Sequence, residues 1–241
     1  KEMAMCRAVL ENNRLLPLFA RFKISLGFGE QSVEEVCMAH GVDPEFFMDI
    51  ANAYLDEDYI PREDLAQFPL KSMVKYLLAT HAFYLEVALP RVENLIIQLL
   101  NQPELSEKEV NLLSGFFNDY KKDFMQHICE EETEILPYFL ELEKEALQKT
   151  PSPVLVSKLK EYSIRKFEQE HDRLEYSLEN LSRLIIKYLP PIEDQELCLT
   201  VLSELADLVK DLVDHADMED KVLIPRVADL EQQLLKRGGD Q

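Results

Sequence analysis

The chain has 241 residues, room for one large domain or a small one and a medium one, and 46% of them are apolar, enough for a sizeable core. Six glycines, no tryptophan and abundant leucine, glutamate and lysine favour an all-α protein over a sheet. With 26 basic and 46 acidic residues the formal charge is −20, which excludes nucleic acid and anionic lipid as partners and suits solvated helix faces or the attraction of cations.

The four cysteines, Cys6, Cys37, Cys129 and Cys198, form no C-x-x-C pair and suggest no disulfide frame, which fits a reducing cytosol. No apolar run reaches the roughly 18 residues needed to span a bilayer. No signal peptide opens the chain, although a start at Lys1 leaves room for a missing upstream piece. The expected location is cytoplasmic, away from membranes.

Residues 1–65 read as a small helical N-terminal domain, cut into short segments by Pro17, Gly27, Gly29, Gly41, Pro44 and Pro61. Ser32 to His40 is one predicted helix, with Ser32 and Glu35 spaced as a capping box. Asp43-Pro44 opens the next, which runs to about Asp56, with Asp43 as N-cap and Pro44 in the first turn. Residues 66–241 form a second domain of four long helices, about 68–101, 106–149, 153–188 and 193–236. They are separated by Asn101-Gln102-Pro103, Thr150-Pro151-Ser152-Pro153 and Pro190-Pro191. Short loops between long helices predict an up-down-up-down four-helix bundle.

Each long helix carries one histidine in its apolar stripe: His81, His127, His171 and His215. In the first the stripe is Leu70, Val74, Leu77, His81, Tyr84, Ala88; in the second, Leu113, Phe117, Tyr120, Phe124, His127, Glu131, Ile135. The third gives Ile164, Phe167, His171, Leu174, Leu178, Leu181, Ile185, and the fourth Val201, Leu205, Leu208, Leu212, His215, Glu219, Val222. A chain that runs about 20 residues to a helix end, turns and climbs back returns to the same height after about 44 to 46 residues. The histidine spacing fits that return, so the four rings are expected at one layer. Pro90, Pro137 and Pro225 follow three of the histidines at a similar distance. They read either as bends around a wide centre or as places where a helix ends and restarts.

Two of the helices share the pattern H-x3-E-x5-P, at His127 to Pro137 and His215 to Pro225. Residues four apart share a helix face, so His127 with Glu131 and His215 with Glu219 are potential clamps on a metal. His81 and His171 add one ligand each. Four imidazoles and two carboxylates suffice for two ions that share both carboxylates, take two histidines apiece and carry an oxide or hydroxide bridge, with a position left for a small molecule. Nitrogen and oxygen donors without thiolate suit iron, with manganese or zinc as lesser choices. Glu175 is an alternative carboxylate. Glu168-x-x-His171 is the element that ferritin-like di-iron sites need twice; one copy argues against that class. Tyr84, Tyr120 and Glu170 are candidates for channel or supporting positions, Cys129 points away from the site, and His40 reads as an ordinary residue near a helix end.

These residues resemble the hemerythrin-like HHE cation-binding family, and more closely the di-iron iron–sulfur cluster repair proteins (RIC, the ScdA/YtfE group). The resemblance rests on Thr80 to Pro90 (T-H-x2-Y-L-E-x3-P), the two H-x3-E-x5-P elements and Glu170-His171, and on Leu18-Phe19-Ala20-Arg21-Phe22 and Gln31-Ser32-Val33 in the first domain. It implies His81, His127, Glu131, His171, His215 and Glu219 as iron ligands, with Glu131 and Glu219 bridging. Oxygen-carrying hemerythrins use one more histidine than this bundle has. Where the repair family often carries adjacent cysteines, this chain reads Ser25-Leu26-Gly27-Phe28-Gly29, which removes the basis for a thiol role but leaves the iron centre intact. The implied function is a cytoplasmic di-iron protein of the nitrosative and oxidative stress response, repairing damaged iron–sulfur proteins by iron supply or by nitric oxide chemistry. The rival readings are an O2- or NO-binding sensor or carrier, a di-iron oxidoreductase and a purely structural bundle. The small first domain is a candidate for mediating a homodimer.

Overall fold

The computed structural model describes residues 1–56, 59, 68–148, 151–161, 164 and 175–239. Among them there is no β-strand; a single antiparallel bridge joins Ala4 and Ser32. The chain divides into two compact units. The first comprises Lys1–Phe83, Tyr138–Arg165 and Met218–Gln241, and the second Tyr84–Pro137 and Lys166–Asp217. The expected domain boundary at 65/66 lies outside the described residues.

The first unit starts with α1 (Met5–Glu11), a 3-10 turn (Asn13–Leu15), α2 (Leu16–Arg21), α3 (Val33–Ala39) and α4 (Pro44–Leu55). The capping box at α3 forms: Glu35 N–H donates to Ser32 Oγ at 3.2 Å, and Ser32 N–H to Glu35 Oε2 at 2.8 Å. Those bonds hold the Glu35 carboxyl below its ordinary pKa, the Ser32 backbone N–H contributing most. Gly41, in the left-handed region at φ 67°, closes α3 with paired bonds from Gly41 N–H to Met38 O and from Val42 N–H to Cys37 O. His40 ends that helix as expected, its Nδ1 2.8 Å from Val36 O.

Phe22 is buried at the hub of an aromatic core, 5.1 Å from both Phe47 and Tyr76 between ring centroids. Tyr76 belongs to α5 (Leu70–Phe83), whose N-terminus is capped by Glu143: Leu70 N–H donates at 2.6 Å and Lys71 N–H at 3.3 Å. Glu143 lies on α8 (Leu136–Ala146), which the first unit shares with α9 (Pro153–Glu161) and α12 (Ile224–Gly239). Buried Glu231 of α12 accepts from Tyr138 Oη at 2.6 Å and from Ile164 N–H at 2.9 Å. A buried carboxylate is tolerable because such donors replace its water.

Cys37 illustrates the dry core of this unit. It is fully buried, and desolvation, with help from the nearby Asp43 charge, pushes its thiol up to about 12. The thiolate is the reactive form. An aromatic disulfide reagent at pH 8 is therefore expected to titrate exposed Cys129 in the native protein and Cys37 only after denaturant is added. Rapid native labelling of Cys37, located by peptide mass, would contradict that burial.

The second unit packs α6 (Leu89–Leu100), α7 (Glu107–Glu130), α10 (Glu175–Tyr188) and α11 (Gln195–Met218). Leu113, Phe117, Tyr120, Phe124 and Ile128 of α7 are buried. So are Leu178, Leu181 and Ile185 of α10 and Val201, Leu205, Leu208 and Leu212 of α11. Lys121 ties α7 to α6 through Glu93 at 2.6 Å. Ser106 opens α7 with a second capping box, and its bonds lower the Glu109 carboxyl, the Ser106 hydroxyl contributing most. Ser106→Ala is expected to cost about 1 kcal/mol in urea unfolding at neutral pH. The difference from wild type should shrink as pH falls through the depressed Glu109 pKa, because the protonated acid no longer accepts from the Ser106 hydroxyl, the bond that the variant lacks.

Among the described residues, three π-helical turns interrupt the long helices, at Tyr84–Ala88, Glu131–Ile135 and Glu219–Leu223. Each is followed two residues later by proline: Pro90, Pro137, Pro225. Proline has no N–H to give and its ring clashes with the carbonyl four residues back. Widening the preceding turn relieves both. Leu136 N–H then reaches Glu131 O, and Ile224 N–H reaches Glu219 O, five residues back rather than four. The prolines therefore mark wide turns inside continuing helices, not restarts.

Candidate metal centre

Two of the π turns start at the carboxylates singled out by the sequence, Glu131 and Glu219. Glu131 is 2% exposed and Glu219 5%, while His81 on α5 is fully buried. One ligand atom each from His81, Glu131, His215 and Glu219 lies within 4.8 Å of the other three. His127 stands beside this cluster: its Nε2 is 3.3 Å from Glu131 Oε1, and its side chain is 19% exposed. His171 lies outside the described residues, as do Glu168, Glu170 and the side chain of Glu175.

The helical spacing accounts for the local geometry. His127 and Glu131, and likewise His215 and Glu219, are one turn apart on the same face. The π turns begin at the carboxylates, so the α-helical part of each helix places the histidine and the wide turn carries the acid. Tyr84 fixes one ring from the side. It is almost completely buried, donates its hydroxyl to Asp211 O at 3.0 Å, and meets the His215 ring edge-on at 5.6 Å between centroids. It also meets Phe124 at 5.8 Å, and Phe124 stacks on Tyr120 at 5.7 Å. Tyr84 and Tyr120 are thus part of the apolar wall, Tyr84 directly against the His215 ring. Cys129 is exposed, so no thiol belongs to the cluster.

Asp211 escaped the sequence reading. It is buried, one turn before His215 and three residues after Leu208, a position on the apolar side of α11 that should have drawn attention to an acid.

The donor set fits a cation. Metal bonds to imidazole nitrogen and carboxylate oxygen are about 2.0–2.2 Å long, which puts two donors on one ion at most about 4.4 Å apart; donors within 4.8 Å of one another are close to that spacing. Two buried carboxylates at this separation repel, and a positive ion is the simplest compensation. Nitrogen and oxygen donors without sulfur suit iron, manganese or zinc.

The helical fold and this cluster define an all-α protein of the hemerythrin-like bundle class, with a helical N-terminal region. The chain belongs to the hemerythrin HHE cation-binding domain family, whose model matches residues 92–227, more than half its length. No curated protein matches it. His127, Glu131, His171, His215 and Glu219 fall inside the matched stretch; His81 precedes it and joins the cluster through its geometry. No helix of the described residues is long and apolar enough to cross a membrane.

Proposed function

We propose that this is a cytoplasmic non-haem di-iron protein that helps repair damaged iron–sulfur clusters under nitrosative or oxidative stress. The observation that carries the reading is the cluster of buried His81, Glu131 and Glu219 with half-buried His215 in a chain of the HHE family. His127, against Glu131, is positioned to complete the set. In this proposal Glu131, Glu219 and the four histidines, His171 included, would hold the two ions. When bound, a ferrous pair supplies a reducing centre able to accept a diatomic molecule such as NO or O2.

The chain's own contribution is to hold, orient and shield. Tyr84 pins the His215 ring by its edge while its hydroxyl is anchored on Asp211 O. Phe124 and Tyr120 stack alongside and exclude water from that wall. His127, 19% exposed, and the half-buried His215 mark the sides from which a small molecule approaches most easily. A carboxylate on a wide π turn has a carbonyl ladder that is already loosened, which favours carboxylate movement and hence iron release.

The test uses iron-loaded protein, a client enzyme stripped of its iron–sulfur cluster, a sulfide source and, separately, nitric oxide. The proposal expects client activity to return with loss of iron from this protein, or stoichiometric reaction with NO. Reversible O2 or NO binding with full iron retention and no client recovery would instead identify a sensor or carrier. Many turnovers with an electron donor would identify an oxidoreductase.

A further inference from the structure

The first unit holds a second feature that the metal centre does not use. A cavity of about 150 Å³ opens where the end of α2, the turn after α3 and the start of α5 meet. Its floor is buried and aromatic, formed by Phe22, Phe46 and Tyr76, with the Arg21 guanidinium beneath. Its rim is exposed and carries Lys71 and Lys75, one turn apart on α5. Three cations on one small cavity run against the grain of a chain with 46 acids and 26 bases.

The pairing of these charges sharpens the point. The ammonium groups of Lys71 and Lys75 make no ion pair among the described residues. Four residues apart on one helix, they repel one another. The one acid among the described residues that line the cavity, Asp43, is already engaged: its Oδ1 accepts from Glu45 N–H at 2.9 Å and Phe46 N–H at 3.1 Å at the start of α4. The first N–H groups of α5 are likewise taken, by Glu143 and by Pro69 O. The charge on offer therefore comes from side chains. Arg21 is held in place by the Tyr76 hydroxyl at 3.3 Å and by the rings of Tyr54 and Phe83 at 5.4 and 5.6 Å.

We infer that this cavity binds a small organic carboxylate, its flat apolar body on Phe22, Phe46 and Tyr76 and its anionic end between Lys71 and Lys75. A cavity of this size accommodates a benzene-sized body. An apolar floor with a few charged groups at one end is the usual build of a small-molecule site. Lys71 and His81 are ten residues apart on α5, about 15 Å along its axis, so this site is separate from the metal cluster and does not depend on the iron reading.

Ligand-observed NMR on the full chain tests this with benzoate, its neutral analogue benzyl alcohol, and inorganic phosphate. Benzoate is expected to bind with a Kd of about 1 mM or tighter. Benzyl alcohol should bind at least about tenfold more weakly, the scale of one charge-assisted hydrogen bond, and phosphate should not displace benzoate. The exposed pair Lys71→Glu and Lys75→Glu should weaken benzoate at least about tenfold, with the far-UV circular dichroism unchanged; Lys71→Met with Lys75→Met serves if the glutamates perturb folding. Equal binding of benzyl alcohol, displacement by phosphate, no benzoate signal at about 10 mM, or benzoate binding indifferent to both lysine pairs would each overturn the inference. The last outcome would place the carboxylate elsewhere, including at the metal centre.

Discussion

Glu219→Gln is expected to stabilise the metal-free protein and to impair the metal-loaded one. In the apo state the Glu131 and Glu219 carboxylates are both buried, with ligand oxygens within 4.8 Å. Two like charges at that distance repel by about 3 kcal/mol at an effective dielectric of about 20. Neighbouring groups offset part of this, so glutamine, nearly the same shape, should raise apo stability by about 1–2 kcal/mol. For a chain of this length that is a rise of roughly 2–8 °C in Tm. With metal the sign reverses. A neutral amide is a poor ligand, and since loss of mere supporting groups costs about 10–100-fold in affinity, loss of a direct ligand should cost at least about 100-fold. Wild-type protein saturated with ferrous iron gains about 2.7 kcal/mol at a hundredfold excess over Kd; the variant should gain almost none. Differential scanning calorimetry with and without anaerobic iron reads both effects. A variant that is less stable without metal and unchanged with it would mean that Glu219 has a structural role alone.

Tyr84→Ala should be among the most damaging substitutions outside the cluster. Tyr84 is the largest of the fully buried side chains among the described residues, and its ring packs against both Phe124 and His215. Removing such a ring typically costs about 3–5 kcal/mol through lost burial and the cavity left behind. Tyr84→Phe keeps the ring and loses the hydroxyl's bond to Asp211 O, so it should cost about 1 kcal/mol. The pair separates packing from hydrogen bonding. Because the edge contact orients the His215 imidazole, Tyr84→Ala should also weaken metal binding about tenfold or more, whereas Tyr84→Phe should leave it within about threefold. Urea unfolding and an iron chelator competition measure the two quantities. Equal metal affinity in all three proteins would show that the His215 ring is held by other contacts.

The helices were legible because their signals are local. Ser32 with Glu35 and Asp43 with Pro44 place the starts of α3 and α4, and the stripe from Leu113 to Ile135 places α7 and its buried face. The heights of His81 and His215 followed from helix length and short connections, both of which are written in the sequence. The wide turns were not legible. Pro90, Pro137 and Pro225 announce that an α-helical bond is missing, but whether the helix stops, kinks or widens depends on what packs on either side. The two short helices Met5–Glu11 and Leu16–Arg21 were also hidden, since neither is long enough to show a period. Nothing in the sequence marks Arg21 as buried; tertiary packing places it between the Tyr54 and Phe83 rings. The offset position of His127, touching Glu131 yet outside the cluster of four, depends on a rotamer and a turn shape that spacing does not encode.

The measurement closest to the heart of this account is the iron stoichiometry of the anaerobically titrated protein, set beside a Glu131→Ala, Glu219→Ala double variant. Two ferrous ions should be retained per wild-type chain after desalting, and none in the variant. Equal retention by both proteins, or no iron held by the wild type, would contradict it.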